Sequence, residues 1–510
     1  MTTEAKEDVG VELIRARGKL YHFVDGAFTL LKEDVQASIV RDRKGERQGY
    51  ASFSMCVYDE KGKKVTHQEI DNSLLARFYS SELSIVWVVF LNDQRVSLSV
   101  KFEDPQSFVK FRNQYSVCLY EVSNPTAFDD LKEEDQKYVM ESERDDIVME
   151  EADEDDQDEG QNSFLDDPRD GAKVANSPDE HNRHLAVAYN NDRTFVIRGK
   201  HMGVFRADDE GMKFNTLVKI KDQKSTAFAP SQVLLHEQDR SMLFLNPDDK
   251  EKIYRMDLER GDIVNEFKAP NASVNTMSAS SKYANLNPGQ EFLGINKNQM
   301  MRFDPRDRDF VVQKKQYASG TKTNFTNLAA TGAGYVAIGS ENGDIRLYNE
   351  VGKIAKTHLS GLGDPIIGID TTEDGAFILA TTKTYILVVD TRVKGEVKGG
   401  FLKSMGKNKP IPVKLAIKPT DIMKHKMKEI SFTPAHFNVG RSLERSIVAS
   451  TGPFIVTWNF RHVKQGKLET YQIKRYKDNI VADNFAFDDE ERIIVTLPDD
   501  VTVNRLRSRR

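Results

Sequence analysis

The chain has 510 residues, 39% hydrophobic and 30% charged, with a net charge of -6 and a mean hydropathy of -0.55. That length exceeds what one core sustains, so at least two domains are expected. The longest apolar run falls short of the roughly 18 residues of a membrane helix, Met1 to Gly10 is too polar for a signal peptide, and Cys56 and Cys118 provide neither a disulfide framework nor a four-ligand zinc set, so the expectation is a cytoplasmic chain, with a nuclear fraction as the variant reading, neither secreted nor transmembrane.

In chain order, residues 11–122 predict seven short strands: Lys19 to Val24, Ala27 to Leu31, Val35 to Arg41, Tyr50 to Tyr58, Lys64 to Ile70, Ile85 to Leu91 and Arg95 to Phe102. Asp25-Gly26, Lys44-Gly45, Lys61-Gly62 and Asn92-Asp93 mark turns. Asp104 then stands as an N-cap before Pro105, and Phe108, Phe111, Tyr115 and Cys118 follow at helical spacing. Strands closed by one C-terminal amphipathic helix are the plan of a PH-like barrel. Basic residues near Arg15, Arg17 and Lys19, or in the loop Arg41 to Arg47, are candidates for weak contact with an anionic membrane, against the plainer reading of a protein-binding domain.

Residues 123–175 read as an acidic linker, largely disordered. Between Asp129 and Glu159 stand seventeen acidic residues against Lys132, Lys137 and Arg144, a local charge of -14 that leaves +8 for the rest of the chain. So much like charge with so few apolar residues is expected to stay solvated. Phe164 and Leu165 are lone apolar residues placed to dock the linker's end on the next domain.

Residues 176–510 carry a repeat. In YVAIGSENGDIRLYNEVGKI, Tyr335 to Ile354, a hairpin turns at Asn342-Gly343, read as type I′, and the chain then reverses at Gly352 toward a further strand. An apolar residue followed by Asp or Asn closes the equivalent strand at Met256-Asp257, Phe303-Asp304, Tyr348-Asn349, Val389-Asp390 and Trp458-Asn459, and further hairpins turn at Gly199 to Gly203 and Pro498 to Asp500. Seven hairpins at about 47 residues each predict a seven-bladed WD40-like propeller, whose ring would close by pairing Leu185 to Tyr189 with the last hairpin. One interval is long and holds a basic insertion, about 394–430, with ten lysines against Glu396, Asp421 and Glu429. Lys398, Lys403, Lys407, Lys409 and Lys414 are the candidate partner-contact surface, for an acidic partner, an anionic membrane or RNA, against the plainer reading of a solvated surface loop or one folded back on the acidic linker. Phe401 is nearly alone among them as an aromatic, which disfavours nucleic acid.

Walker, nucleophile-elbow and HExxH motifs are missing, and the ten histidines lack ligand spacing. His181 and His184 read as exposed polar residues and Asp499-Asp500 as turn residues, so neither a catalytic residue nor a cofactor or metal is expected. LAVAYNNDRTFVIRGKHMGVFR from Leu185, YRMDLERGDIV from Tyr254, MRFDPR from Met301, IIVTLPDDVTV from Ile493 and FEDPQSFVKF from Phe102 resemble the vacuolar import and degradation protein 27 family. That resemblance implies a PH-like domain, an acidic linker and a WD40-like propeller in a cytoplasmic protein linked in fungi to vesicle-dependent degradation of gluconeogenic enzymes. The resulting expectation is a non-enzymatic scaffold that binds other proteins without being an obligate oligomer. A nuclear, histone-binding adaptor using the acidic segment and an enzyme with a propeller-channel site are the alternatives.

Overall fold

The structure, a computed structural model, describes residues 10–42, 50–91, 94–150, 163–166, 171–174, 180–208, 211–270, 272–318, 323–393, 399–440 and 443–508. Seven antiparallel strands, β1 (Val11–Val24), β2 (Ala27–Arg41), β3 (Phe53–Asp59), β4 (Lys64–Glu69), β5 (Arg77–Tyr79), β6 (Ser84–Leu91) and β7 (Gln94–Phe102), run in the order β4-β3-β2-β1-β7-β6-β5. β1 joins the two halves: it pairs with β2 along its length and with β7 from Gly18 to His22. A Cβ on Gly18 would lie 2.4 Å from the Lys101 carbonyl oxygen, so glycine is what lets the two strands meet there. The two strands expected at Ala27 to Leu31 and Val35 to Arg41 are one strand with shifted register, and the short β5 restores the number. α1 (Pro105–Ser123) starts where Asp104 accepts from the N–H groups of Gln106 and Ser107. It buries Phe108, Phe111, Tyr115 and Cys118 against Leu20, Trp87 and Phe102 as the plug of a PH-like barrel. Cys56 and Cys118 are free and buried, and burial pushes the Cys118 thiol up to about 12.

Seven four-stranded antiparallel sheets form the propeller. Their first strands, Asn182–Val187, Gln232–His236, Thr276–Ala279, Phe325–Ala330, Gly368–Thr371, His436–Phe437 and Ala482–Ala486, touch one another around the axis. Each hairpin read from sequence joins the second and third strands of a blade. The recurring Asp or Asn after the third strand has a structural cause. Asp257 accepts from the N–H groups of Glu259 and Arg260, Asp304 from that of Arg306, Asp390 from that of Arg392 and Asn459 from that of His462. At these four places the side chain holds the next turn and so stops the strand; Asn349, after the Tyr335 hairpin, is the exception, its buried Oδ1 accepting no hydrogen bond.

Three expectations are corrected. The turn of the Tyr335 hairpin is not type I′: only Gly343 has positive φ, at 85°, and its N–H donates to the Ser340 carbonyl. A Cβ on Gly343 would also approach the Asp364 carbonyl oxygen to 2.9 Å. Gly343→Val is therefore expected to cost more than the roughly 1–2 kcal/mol of left-handed strain alone; a denaturation midpoint unchanged from wild type would contradict this.

The second correction concerns closure. Leu185 belongs to the first strand of blade one, and the fourth strand of blade seven is β8 (Ser163–Leu165), from the acidic region, whose backbone pairs with Leu506 to Ser508. Leu185 to Tyr189 invites the closing role because it precedes the first hairpin and has no blade of its own in the sequence pattern. β8 is only three residues long, too short for a strand pattern.

The third concerns disorder. Residues 124–150 are ordered and contain α2 (Glu133–Met140), because their charges find partners on the propeller. The expectation for 151–162 lies outside the described residues.

Candidate functional site

The acidic segment leaves α1 at Asn124 and crosses the propeller as a strap. Its apolar residues anchor it first: Tyr138 and Val139 are buried with Leu347, Leu359 and Tyr385 of blades four and five, and Ile147 and Met149 pack against the cluster holding Phe377 and Phe460. Carboxylates follow at each step. Asp135 accepts from the Lys409 ammonium and, at 2.7 Å, from the Ser360 hydroxyl. Glu143 accepts from Lys414 at 2.6 Å, with the two side chains 3% and 9% exposed. Glu150 accepts from Arg392 Nη1 at 2.7 Å and from Lys464 Nζ at 2.5 Å. The Asp135–Lys409 and Glu143–Lys414 pairs are nearly buried, and a buried charge is tolerated only when paired; the Glu150 pairs are more exposed.

The basic insertion is the receiving surface. Of the residues marked in it, Lys409 and Lys414 carry the strap, Lys403 and Lys407 are exposed, and Lys398 lies outside the described residues. The insertion holds α3 (Pro419–Lys424), packed on β6 and β7, with Ile422, Met427 and Ile430 in the core of blades five and six. It is therefore part of the interface rather than a solvated loop. The barrel docks on the same place: Arg77 donates to the Lys414 carbonyl at 3.1 Å, Asn72 to the Asp364 carboxylate at 2.5 Å, and the Ser80 hydroxyl to Asp145 at 2.6 Å. The Lys414 ammonium also lies 4.2 Å from the centre of the Tyr385 ring. Barrel, strap and propeller meet at this pair.

Beyond it, Glu150 enters a groove between blades five and six that sequence reasoning missed. Arg392, Arg445, Arg461, Lys464, Asp374 and Glu444 line it above Phe377 and Phe460, and about 390 Å³ is open. Burial pushes the Glu150 carboxyl up, but the hydrogen bonds from Lys464 and Arg392 outweigh it, so the group sits below its ordinary range. Its contribution to stability is thus present above the ordinary glutamate value and lost as pH falls through the lowered one. The opposed local charges of -14 and +7 were the available signal for the strap; nothing local marks Arg392 or Lys464.

At one mouth of the central channel, the loop after Thr276–Ala279 lies across the opening. Lys282 reaches Asp370 at 3.0 Å, the Tyr283 hydroxyl accepts from the Gly440 N–H at 3.3 Å, and Phe487 stacks on Tyr189 at 4.5 Å and meets Tyr283 edge-on. Among the described residues there is no group of three or more His, Cys, Asp or Glu able to hold a metal ion. His181 is exposed and pairs with Asp499 at 3.1 Å, whereas His184 is partly buried, with its pKa lowered by burial. No helix among the described residues is long and apolar enough to cross a membrane.

On the barrel, Arg15 pairs with Glu12 and Lys19 with Glu33, while most of the loop Arg41 to Arg47 lies outside the described residues. The exposed feature is instead apolar. Among the described residues thirteen large hydrophobic side chains are exposed, and six of them lie on β1 and β2: Val24, Phe28, Leu30 and Leu31 near the turn, and Val11 and Leu13 at the opposite end of β1.

Residues 12–122 match the VID27 PH-like domain and residues 180–510 the VID27 C-terminal WD40-like domain. The chain is 34% identical to Vacuolar import and degradation protein 27 of Schizosaccharomyces pombe, over 96% of this chain and 65% of that protein. It is 32% identical to the protein of the same name from Saccharomyces cerevisiae, over 81% of this chain and 58% of that protein. It thus spans about two thirds or less of the length of each. The propeller match begins after β8, so the strand that closes blade seven lies outside it.

Proposed function

Since this chain belongs to the vacuolar import and degradation protein 27 family, we propose that it is a non-enzymatic scaffold holding protein partners in vesicle-mediated import and degradation of cytosolic enzymes, a finer reading of the vacuolar import and degradation for which those relatives are named. The observation that carries this reading is the rigid joining of a PH-like barrel to a propeller through buried ion pairs, which presents two outward surfaces in fixed relation: the β1–β2 hairpin and the groove around Glu150. Val24, Phe28, Leu30 and Leu31, exposed together near the turn of that hairpin, favour a recognition surface. The histone-binding alternative is weakened, because Asp135, Glu143 and Glu150 already have partners within the chain.

The test is affinity capture from cell extract with the full chain and with Phe28→Asp/Leu30→Asp. A defined set of proteins retained by the wild type and lost by the variant is expected. Identical captures would remove the hairpin from the reading, and turnover in a broad hydrolase screen would sink the non-enzymatic claim. The hairpin also supports a second reading, a weak membrane contact, since Lys32 follows Leu31 and stays 39% exposed while 3.6 Å from Asp59. Co-sedimentation with phosphatidylserine vesicles, reduced in the same variant, is the expected sign; equal sedimentation of both proteins would count against it.

A further inference from the structure

We propose that the groove between blades five and six is a binding site for acidic peptide segments, in which Glu150 is the tethered resident. The inference rests on the scaffold reading and names the chemistry of one partner. The fitting of the site comes first. Asp390 accepts from Arg392 Nε at 2.9 Å and from Nη2 at 2.7 Å, which fixes the plane of the guanidinium and leaves Nη1 directed at Glu150. The same guanidinium lies 4.6 Å from the centre of the Phe377 ring, and Lys464 lies over both Phe377 and Phe460. An arginine held by a carboxylate on one edge and an aromatic face below has little orientation left to lose when it binds a second carboxylate.

The occupant in place is recognised as peptide, not merely as charge. α4 (Phe460–Lys464) ends at the groove, and the Lys464 carbonyl accepts from the N–H groups of both Met149 and Glu150, at 2.8 and 3.0 Å. Main chain and carboxylate are thus read together, which a free anion would not satisfy. The groove continues past Glu150: Arg445 and Arg461 line it, and Leu443, 78% exposed, stands on its edge. Asp374 and Glu444 also line the groove, and Asp390 balances one edge of Arg392, so the positive charge that meets an incoming carboxylate is that of Arg392 Nη1 and Lys464, the two groups that now hold Glu150. Burial raises the Glu444 carboxyl, which accepts from the Glu373 N–H at 2.7 Å.

A tethered occupant competes at an effective concentration on the order of millimolar, so a partner binds only by displacing Glu150, and the clamp is self-occupied until a stronger acidic segment arrives. The experiment is fluorescence anisotropy of a fluorescein-labelled polyglutamate peptide with the full chain. Glu150→Gln, which keeps the shape and removes the charge, is expected to bind the probe about tenfold or more tighter than wild type because the tethered competitor is weakened. Glu150→Gln/Arg392→Gln is expected to lose that gain, with circular dichroism and melting compared to show that both variants are folded. Equal probe affinity in wild type and Glu150→Gln, or a gain that survives loss of Arg392, overturns the proposal. Failure here while the captured proteins persist removes only the groove, whereas loss of the captured set with probe binding intact removes the scaffold reading instead.

Discussion

Glu143→Ala is expected to destabilise the chain by about 3–5 kcal/mol, the cost of stranding a buried charge. The Lys414 ammonium sits on the Tyr385 ring with Glu143 as its carboxylate partner, and at 7% residue exposure water cannot replace what is lost. The effect should not stay local. Arg77 of the barrel donates to the carbonyl of this same lysine, so movement of Lys414 loosens the barrel's contact as well. The control is Glu143→Leu/Lys414→Met, which removes both charges and fills the space; such replacements are often neutral or stabilising. In denaturant titrations the single variant should unfold well before wild type and the double variant near it. Equal loss in both would show that the pair is not coupled.

A chain beginning at residue 176 is expected to keep seven inner strands yet lose the closed ring. It lacks β8, so the backbone of Leu506 to Ser508 becomes a free sheet edge, and the bridge between Ala172 and Val501 disappears with it. Free edges pair with other chains, so the shortened protein should melt earlier and associate as its concentration rises. A milder variant separates closure from truncation. Leu165, 7% exposed, packs with Ile455, Phe485 and Leu506, and Leu165→Ala in the full chain should cost about 2–5 kcal/mol. A truncated chain that melts as the full chain does, and stays monomeric, would contradict the role given to β8.

These two variants fall where the sequence is only partly explicit: it marks Leu165 as a docking residue and the linker as one partner of the basic insertion, but neither the β8 pairing nor the individual ion pairs, and the reasons are physical. The blades were legible because they repeat a local event: an alternating strand, a turn and, at Asp257, Asp304, Asp390 and Asn459, a side chain that fixes the next turn. The barrel was legible for the same reason, down to the Asp104 cap. The strap was not, because its partners are remote: Asp135 and Lys409 are 274 positions apart, Glu143 and Lys414 271, and Glu150 and Arg392 242. A run of carboxylates reads as solvated until its counter-charges are placed beside it. The groove was further out of reach, since Arg392 looks like an ordinary turn residue until Asp390 and Phe377 are seen to hold it.

The central claim is that the strap fastens the barrel to a ring that the same segment closes. It is tested most directly by cutting the strap from its own continuation. A protease recognition sequence inserted within residues 151–162 leaves α2, Glu143 and Glu150 on the N-terminal piece and β8 with the propeller. After complete cleavage, size-exclusion chromatography at ordinary salt should return one particle containing both pieces, because buried ion pairs and the apolar anchors Tyr138 and Val139 are little screened. Cleaved Glu143→Ala should separate. Two independent peaks from cleaved wild type would contradict the account.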